Sequence, residues 1–175
     1  MDRTGIKKIV VISLFSALIA AGAYIKIPIP PVPITLQTLF VLICGLLFPL
    51  KISMSAMLLY LFLGIIGMPV FTAGGGLAVF TGPTGGYTMG MVPAIVILSF
   101  FRKKDSIWSY VVGCILATLA IYVPGLIWLK HTLSLSWLDT FLSGLVPFIV
   151  GDIIKIAVAS AVAGSLKEKA EKAIS

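Results

Sequence analysis

The chain has 175 residues, a length that fits one domain spanning residues 1–175. With 59% hydrophobic residues, 11% charged and a mean hydropathy of +1.15, it carries less than half the roughly 25% charge of soluble domains. That excludes a soluble globule and predicts an all-α integral membrane protein. The net charge of +7 does not indicate nucleic acid, because the basic residues gather at segment ends and form no patch interleaved with exposed aromatics.

A helix that crosses a bilayer needs about 20 apolar residues. In chain order the segments that qualify are Ile6–Tyr24, Leu36–Phe48, Ile52–Ile66, Gly86–Phe101, Ile107–Leu129 and Leu138–Ser165. The expectation is therefore six transmembrane helices. The first segment has a basic start, and Ala21-Gly22-Ala23 resembles a cleavage site. Removing it would leave five spans with basic loops on both sides, so it is expected to remain as a span. Ser13, Ala17 and Ala21 recur on it at four-residue spacing, which lets helices approach closely in lipid. They serve either internal packing or the docking of a partner subunit.

Between the first two segments, Pro28, Pro30, Pro31 and Pro33 forbid helix and favour a stiff extended stretch ending at Gln37. The second and third segments are short and meet at a tight turn, Pro49-Leu50-Lys51. A glycine-rich stretch from Gly67 to Tyr87 follows, yet it carries Val70, Phe71, Leu77, Val79 and Phe80. Irregular apolar backbone near a membrane survives only when it is buried in protein or lines a cavity. Both connections are therefore expected to fold over the bundle as extracellular lids.

Orientation follows from the basic residues. Arg3, Lys7, Lys8, Lys51, Arg102, Lys103, Lys104, Lys167, Lys169 and Lys172 fall on one side of the predicted spans, and only Lys26 and Lys130 on the other. The positive-inside rule then puts both termini in the cytoplasm of a multi-pass protein of the cell membrane.

Asp152 and Lys155 lie three residues apart inside the last apolar segment and project from nearly one helix face. A charge at mid-membrane costs roughly 2.5–3.5 kcal/mol on insertion scales, and such residues face an interior or a polar cavity. Either the two neutralise each other to ease insertion, or Lys155 takes a ligand carboxylate while Asp152 accepts from ligand N–H groups. Gln37 is the only side-chain amide in the chain and can both donate and accept. Thr35 beside it, and Gly75 and Gly76 in the glycine run, are further candidates for ligand contact. Phe71, Leu77 and Tyr87 are candidates for an apolar slot.

Catalytic signatures are missing. No Gly-Lys dipeptide exists to make a phosphate-binding loop, and the single His131 with Cys44 and Cys114 has no metal-ligand spacing. The chain is expected to be no enzyme and to hold neither cofactor nor metal.

Ile29-Pro-Pro-Val-Pro-Ile-Thr-Leu-Gln37, Gly64-Ile-Ile-Gly-Met-Pro-Val-Phe71, Gly82-Pro-Thr-Gly-Gly-Tyr87 and Gly151-Asp-Ile-Ile-Lys155 recur in this order across nearly the whole chain. Together they resemble the BioY family, the biotin-binding S components of energy-coupling factor (ECF) transporters. The resemblance implies the S-component fold of a prokaryotic plasma membrane, with an outward-facing biotin pocket. It also implies a transmembrane coupling subunit of the EcfT type and two cytoplasmic ATPases, which use the ATP. The family's small-residue motif falls on Ala17 and Ala21, its acid and base on Asp152 and Lys155. Biotin's chemistry agrees, since its ureido ring suits Asp152 and Gln37 and its carboxylate suits Lys155. A stand-alone secondary transporter for a small carboxylated vitamin is the alternative.

Overall fold

The computed structural model describes residues 3–174. It is a helical bundle with one small two-stranded sheet. Helix α1 spans Arg3–Tyr24 and is followed by strands β1 (Lys26–Ile27) and β2 (Ile34–Thr35). Then come α2 (Gln37–Leu47), α3 (Leu50–Ile65), the single turn α4 (Ala78–Thr81), α5 (Gly85–Phe101) and α6 (Ile107–Leu133). The chain ends with α7 (Trp137–Gly144) and α8 (Ile149–Ile174).

All six apolar segments are helical, but they differ in reach. Among the described residues, four stretches are long and apolar enough to cross a membrane: Arg3–Tyr24, Gly85–Lys104, Ile107–Leu133 and Trp137–Ile174. At 11 and 16 residues, α2 and α3 are shorter apolar helices. The last segment is not the continuous helix expected over Leu138–Ser165. It breaks after Gly144, and a 3-10 turn at Val146–Phe148 leads into α8. Pro147 explains the break, because its ring cannot continue a helix from the preceding residues.

Buried side chains from α1, α2, α3, α5, α6 and α8 form the main core, with Ile19, Leu42, Met57, Ile95, Leu98 and Leu129 almost fully enclosed, and a smaller cluster gathers Phe15, Cys44, Phe48 and Ile52. Helices α5 and α6 pack with their backbones in close approach. A Cβ on Gly90 would lie 2.7 Å from Ile121 Cα, and one on Gly86 would lie 2.3 Å from the Pro124 carbonyl oxygen. With lipid outside, burial supplies no net drive, so backbone proximity and van der Waals contact hold such pairs. Gly86 and Gly90 make that contact possible.

The proline-rich segment is extended, as its composition requires, and closes into an antiparallel hairpin with Lys26 opposite Thr35 and Ile27 opposite Ile34. The Pro30–Pro31 peptide is cis. The glycine-rich stretch is tightly folded rather than loose. Gly67, Gly74 and Gly76 have φ of 101°, 113° and 92°, a region closed to most L-residues. Phe71 and Gly74 exchange backbone hydrogen bonds, and Gly76 N–H donates to the Gly64 carbonyl at 2.7 Å. The stretch is apolar because it packs on helices, with Phe71 and Val79 buried in the core.

At the opposite end, Arg102 donates to the Leu46 and Leu47 carbonyls of α2 and to Glu171 of α8 at 2.5 Å. Lys167 of α8 donates to the Arg102 carbonyl and to Asp105. The basic turn after α5 is thereby bound to the end of α8.

Candidate functional site

A cavity opens inside the hairpin end of the bundle, with about 570 Å³ of atom-free space when its open side is included. Four helices and both connections reach it. Gln37 and Thr38 come from the first turn of α2, Tyr87, Thr88 and Met91 from α5, Thr118, Ile121 and Tyr122 from α6, and Asp152 and Lys155 from α8. Val32, Pro33 and Thr35 of the hairpin segment and Thr72 and Thr84 of the glycine-rich stretch complete the polar and apolar rim, above Phe148.

Local backbone geometry sets these positions. A Cβ on Gly22 would sit 2.9 Å from the Gln37 backbone, so the end of α1 touches the start of α2. The Leu36 N–H, shared by the Gly22 and Ile25 carbonyls, closes that corner. Lys26 Nζ donates to the Thr72 carbonyl at 2.9 Å and joins the hairpin to the glycine-rich stretch. Asp152 lies in the first turn of α8, where the helix dipole favours a carboxylate.

Lys155 and Asp152 form an ion pair at 3.1 Å, with side chains only 7% and 13% exposed. The pair is not closed on itself. Lys155 Nζ also donates to Thr38 Oγ1 at 3.0 Å, so two of its three donors are engaged by protein. Asp152 accepts from Lys155 on Oδ1 and from the Tyr122 hydroxyl on Oδ2. Both ions have protein partners and border empty space. A buried ion held at such a junction can bind a polar ligand without first being desolvated.

Gln37 is buried, and its amide nitrogen donates to the Tyr60 hydroxyl at 2.6 Å, with Met91 Sδ at 3.5 Å. Thr35 Oγ1 accepts from the Gln37 backbone N–H at 3.3 Å. Tyr87 belongs to α5 rather than to the preceding loop, and its hydroxyl donates to the Gly144 carbonyl at 2.9 Å. Its ring stands edge-on to Tyr122, which is in turn edge-on to Phe148. These three rings make an aromatic wall beside Asp152.

The structure thus brings Asp152, Lys155, Gln37, Thr35 and Tyr87 together. It does not bring Phe71, Leu77, Gly75 or Gly76 to the cavity wall. The Phe71 ring lies over Gly64 and packs edge-on against Tyr60 and Phe80. Leu77 is 66% exposed. Gly75 is pressed against the Gly67 and Met68 carbonyls, and Gly76 pins the turn to α3. Their place is in folding the glycine-rich stretch. Ser13, Ala17 and Ala21 are exposed on the outer face of α1, away from the site.

Sequence reading missed Thr38, Thr88, Thr118 and Tyr122 as lining residues. Their signal was weak but present. Thr118 and Tyr122 are one helical turn apart within the apolar run of α6, and Thr38 follows Gln37 directly.

A family model, the BioY family, matches residues 1–172. Similar proteins include the probable biotin transporter BioY of Lysinibacillus sphaericus, 38% identical, covering 87% of this chain and 82% of that protein. The probable biotin transporter BioY of Pyrococcus horikoshii is 38% identical, with 92% and 96% covered. The biotin transporter BioY of Thermotoga maritima is 36% identical, with 93% and 96% covered. Among solved structures, the S-component for biotin from an ECF-type ABC transporter superposes with a TM-score of 0.87 at 28% identity, over 96% of this chain and 94% of that one.

Proposed function

The chain belongs to the BioY family, and we propose that it is the biotin-binding membrane subunit of an ECF-type uptake transporter. It captures the vitamin and is not an enzyme. The observation that carries this reading is the Lys155–Asp152 pair, bound to Thr38 and Tyr122 yet lining a cavity shared by four helices and both connections.

Biotin presents two N–H donors and a carbonyl acceptor at one end, a carboxylate at the other, and an apolar bicycle and chain between. In the proposed complex the valeryl chain folds back, so that the carboxylate meets the remaining donor of Lys155 while the ureido ring lies at Asp152, 3.1 Å from that ammonium. Asp152 and the Gln37 carbonyl accept from the ureido N–H groups, and threonine hydroxyls such as Thr72 and Thr84 supply donors. Tyr87, Tyr122 and Phe148 flank the apolar part.

The six apolar helices are read as six membrane segments, with α2 and α3 reaching part of the depth each. The hairpin and the glycine-rich stretch act as lids over the outer mouth. Both termini are read as cytoplasmic on the positive-inside rule, and the Arg102 turn, bonded to Lys167, shares that side with the end of α8. The exposed row of Ser13, Ala17 and Ala21 docks a transmembrane coupling subunit, and two ATPases supply the energy.

Reconstitution tests this division of labour. The chain alone in vesicles binds labelled biotin but accumulates little, and accumulation appears with the coupling subunit, the ATPases and ATP. Equal accumulation by the chain alone contradicts the proposal and favours a secondary transporter.

A further inference from the structure

On the outer surface of the bundle, a second hollow with about 780 Å³ of atom-free space, open side included, lies between the hairpin, α2 and α8. Its walls are apolar except for Lys26, Thr35 and Lys155. Ile25, Ile27, Ile154 and Val158 line it and are between 41% and 59% exposed, so it opens toward the surroundings of the bundle. In a membrane protein those surroundings are lipid.

Gly151 of α8 lies on its wall. A Cβ there would meet only Ile34 Cγ2, at an ordinary 3.7 Å. Its φ is not left-handed either, since the positive-φ glycines are Gly67, Gly74 and Gly76. Neither packing nor backbone calls for glycine, and glycine within a helix is less stable than alanine. Its effect here is to leave the hollow open.

Water is a poor occupant. Thr35 Oγ1 already accepts from Gln37, and Lys155 Nζ is engaged on the cavity side by Thr38 and Asp152. A water molecule needs two to four polar partners, and an apolar hollow does not supply them. Lys26 is exposed at the rim and donates to Thr72, which leaves two of its three donors for an anion.

We propose that this hollow is a phospholipid site, with one acyl chain between the hairpin and α8 and the phosphate on Lys26. It rests on this face lying in the bilayer, not on the identity of the vitamin. Thr35 and Lys155 belong to the walls of both the hollow and the cavity. The bound chain therefore closes the lipid side of the ligand site and keeps water from the Lys155–Asp152 pair.

Native mass spectrometry of the chain, purified in mild detergent with added phosphatidylglycerol, tests the proposal. The chain is expected to retain one lipid per molecule. Gly151→Leu, which fills the hollow from α8, loses most of it, and so does Ile154→Trp, a change on an outward-facing position that spares the core. Lys26→Ala weakens retention. Monodispersity and the thermal midpoint establish that each variant is folded. No lipid on the unaltered chain, or unchanged retention in the folded filled variants, overturns the proposal. Labelled-biotin binding to the unaltered chain is a separate readout, and its failure counts against the proposed function alone.

Discussion

Thr38 Oγ1 lies 3.0 Å from Lys155 Nζ, joining the first turn of α2 to α8 across 117 residues of sequence. This bond aims the ammonium at the cavity and relieves its dependence on Asp152. Thr38→Val keeps the shape and removes the acceptor. A hydrogen bond to a charged group contributes about 1.5–3 kcal/mol, so biotin affinity is expected to fall roughly tenfold or more. Isothermal titration checks this, and unchanged affinity would leave Thr38 with a packing role only.

Tyr122 is the corresponding support for Asp152. Tyr122→Phe retains the ring between Tyr87 and Phe148 but takes away the donor. The carboxylate is then freer to turn toward Lys155, and affinity should drop by about tenfold to a hundredfold on the same energetic grounds. Loss of affinity without loss of thermal stability would separate the hydroxyl's role from that of the ring.

The α5–α6 contact makes a prediction about folding. Gly90→Ala places a methyl 2.7 Å from Ile121 Cα and 2.8 Å from its carbonyl oxygen. Overpacking of this kind costs about 1–3 kcal/mol. The thermal midpoint should fall by several degrees, while Gly164→Ala, with its nearest neighbour at 3.7 Å, should hold or raise it.

Asp105 gives a pH signature at the other end of the molecule. The Tyr110 hydroxyl, and then the Lys167 ammonium, hold its carboxyl below the ordinary carboxylate range. A folded pKa below the unfolded one contributes stability above the unfolded value, about 3.9. That contribution is lost as pH falls through the lower folded value. Stability measured between neutral pH and strong acid should show a smaller acid loss in Asp105→Asn than in the unaltered chain. Identical pH profiles would remove Asp105 from the account.

Much of the site was legible because ions and amides are rare in this chain. Asp152, Lys155 and Gln37 stand out against an apolar background, and all three line one cavity. Threonine and tyrosine are ordinary in membrane helices, so Thr38, Thr118 and Tyr122 gave no comparable contrast. Phe71 and Leu77 were placed in the slot because apolar character in a loop does not distinguish a cavity wall from a core or a lipid face. Only three-dimensional packing on Gly64 turns Phe71 inward. The break after Gly144 was written in Pro147, but hydropathy reads straight through it.

The central claim is that Lys155 and Asp152 are held out of water for a carboxylated, ureido-bearing ligand. Titrating labelled biotin into purified Lys155→Ala tests it most directly. The variant takes away the ligand's cation, and truncating one partner of a buried charge pair across an interface costs about 2–5 kcal/mol. Affinity is expected to fall by at least about thirtyfold. Affinity equal to that of the unaltered chain would contradict the account.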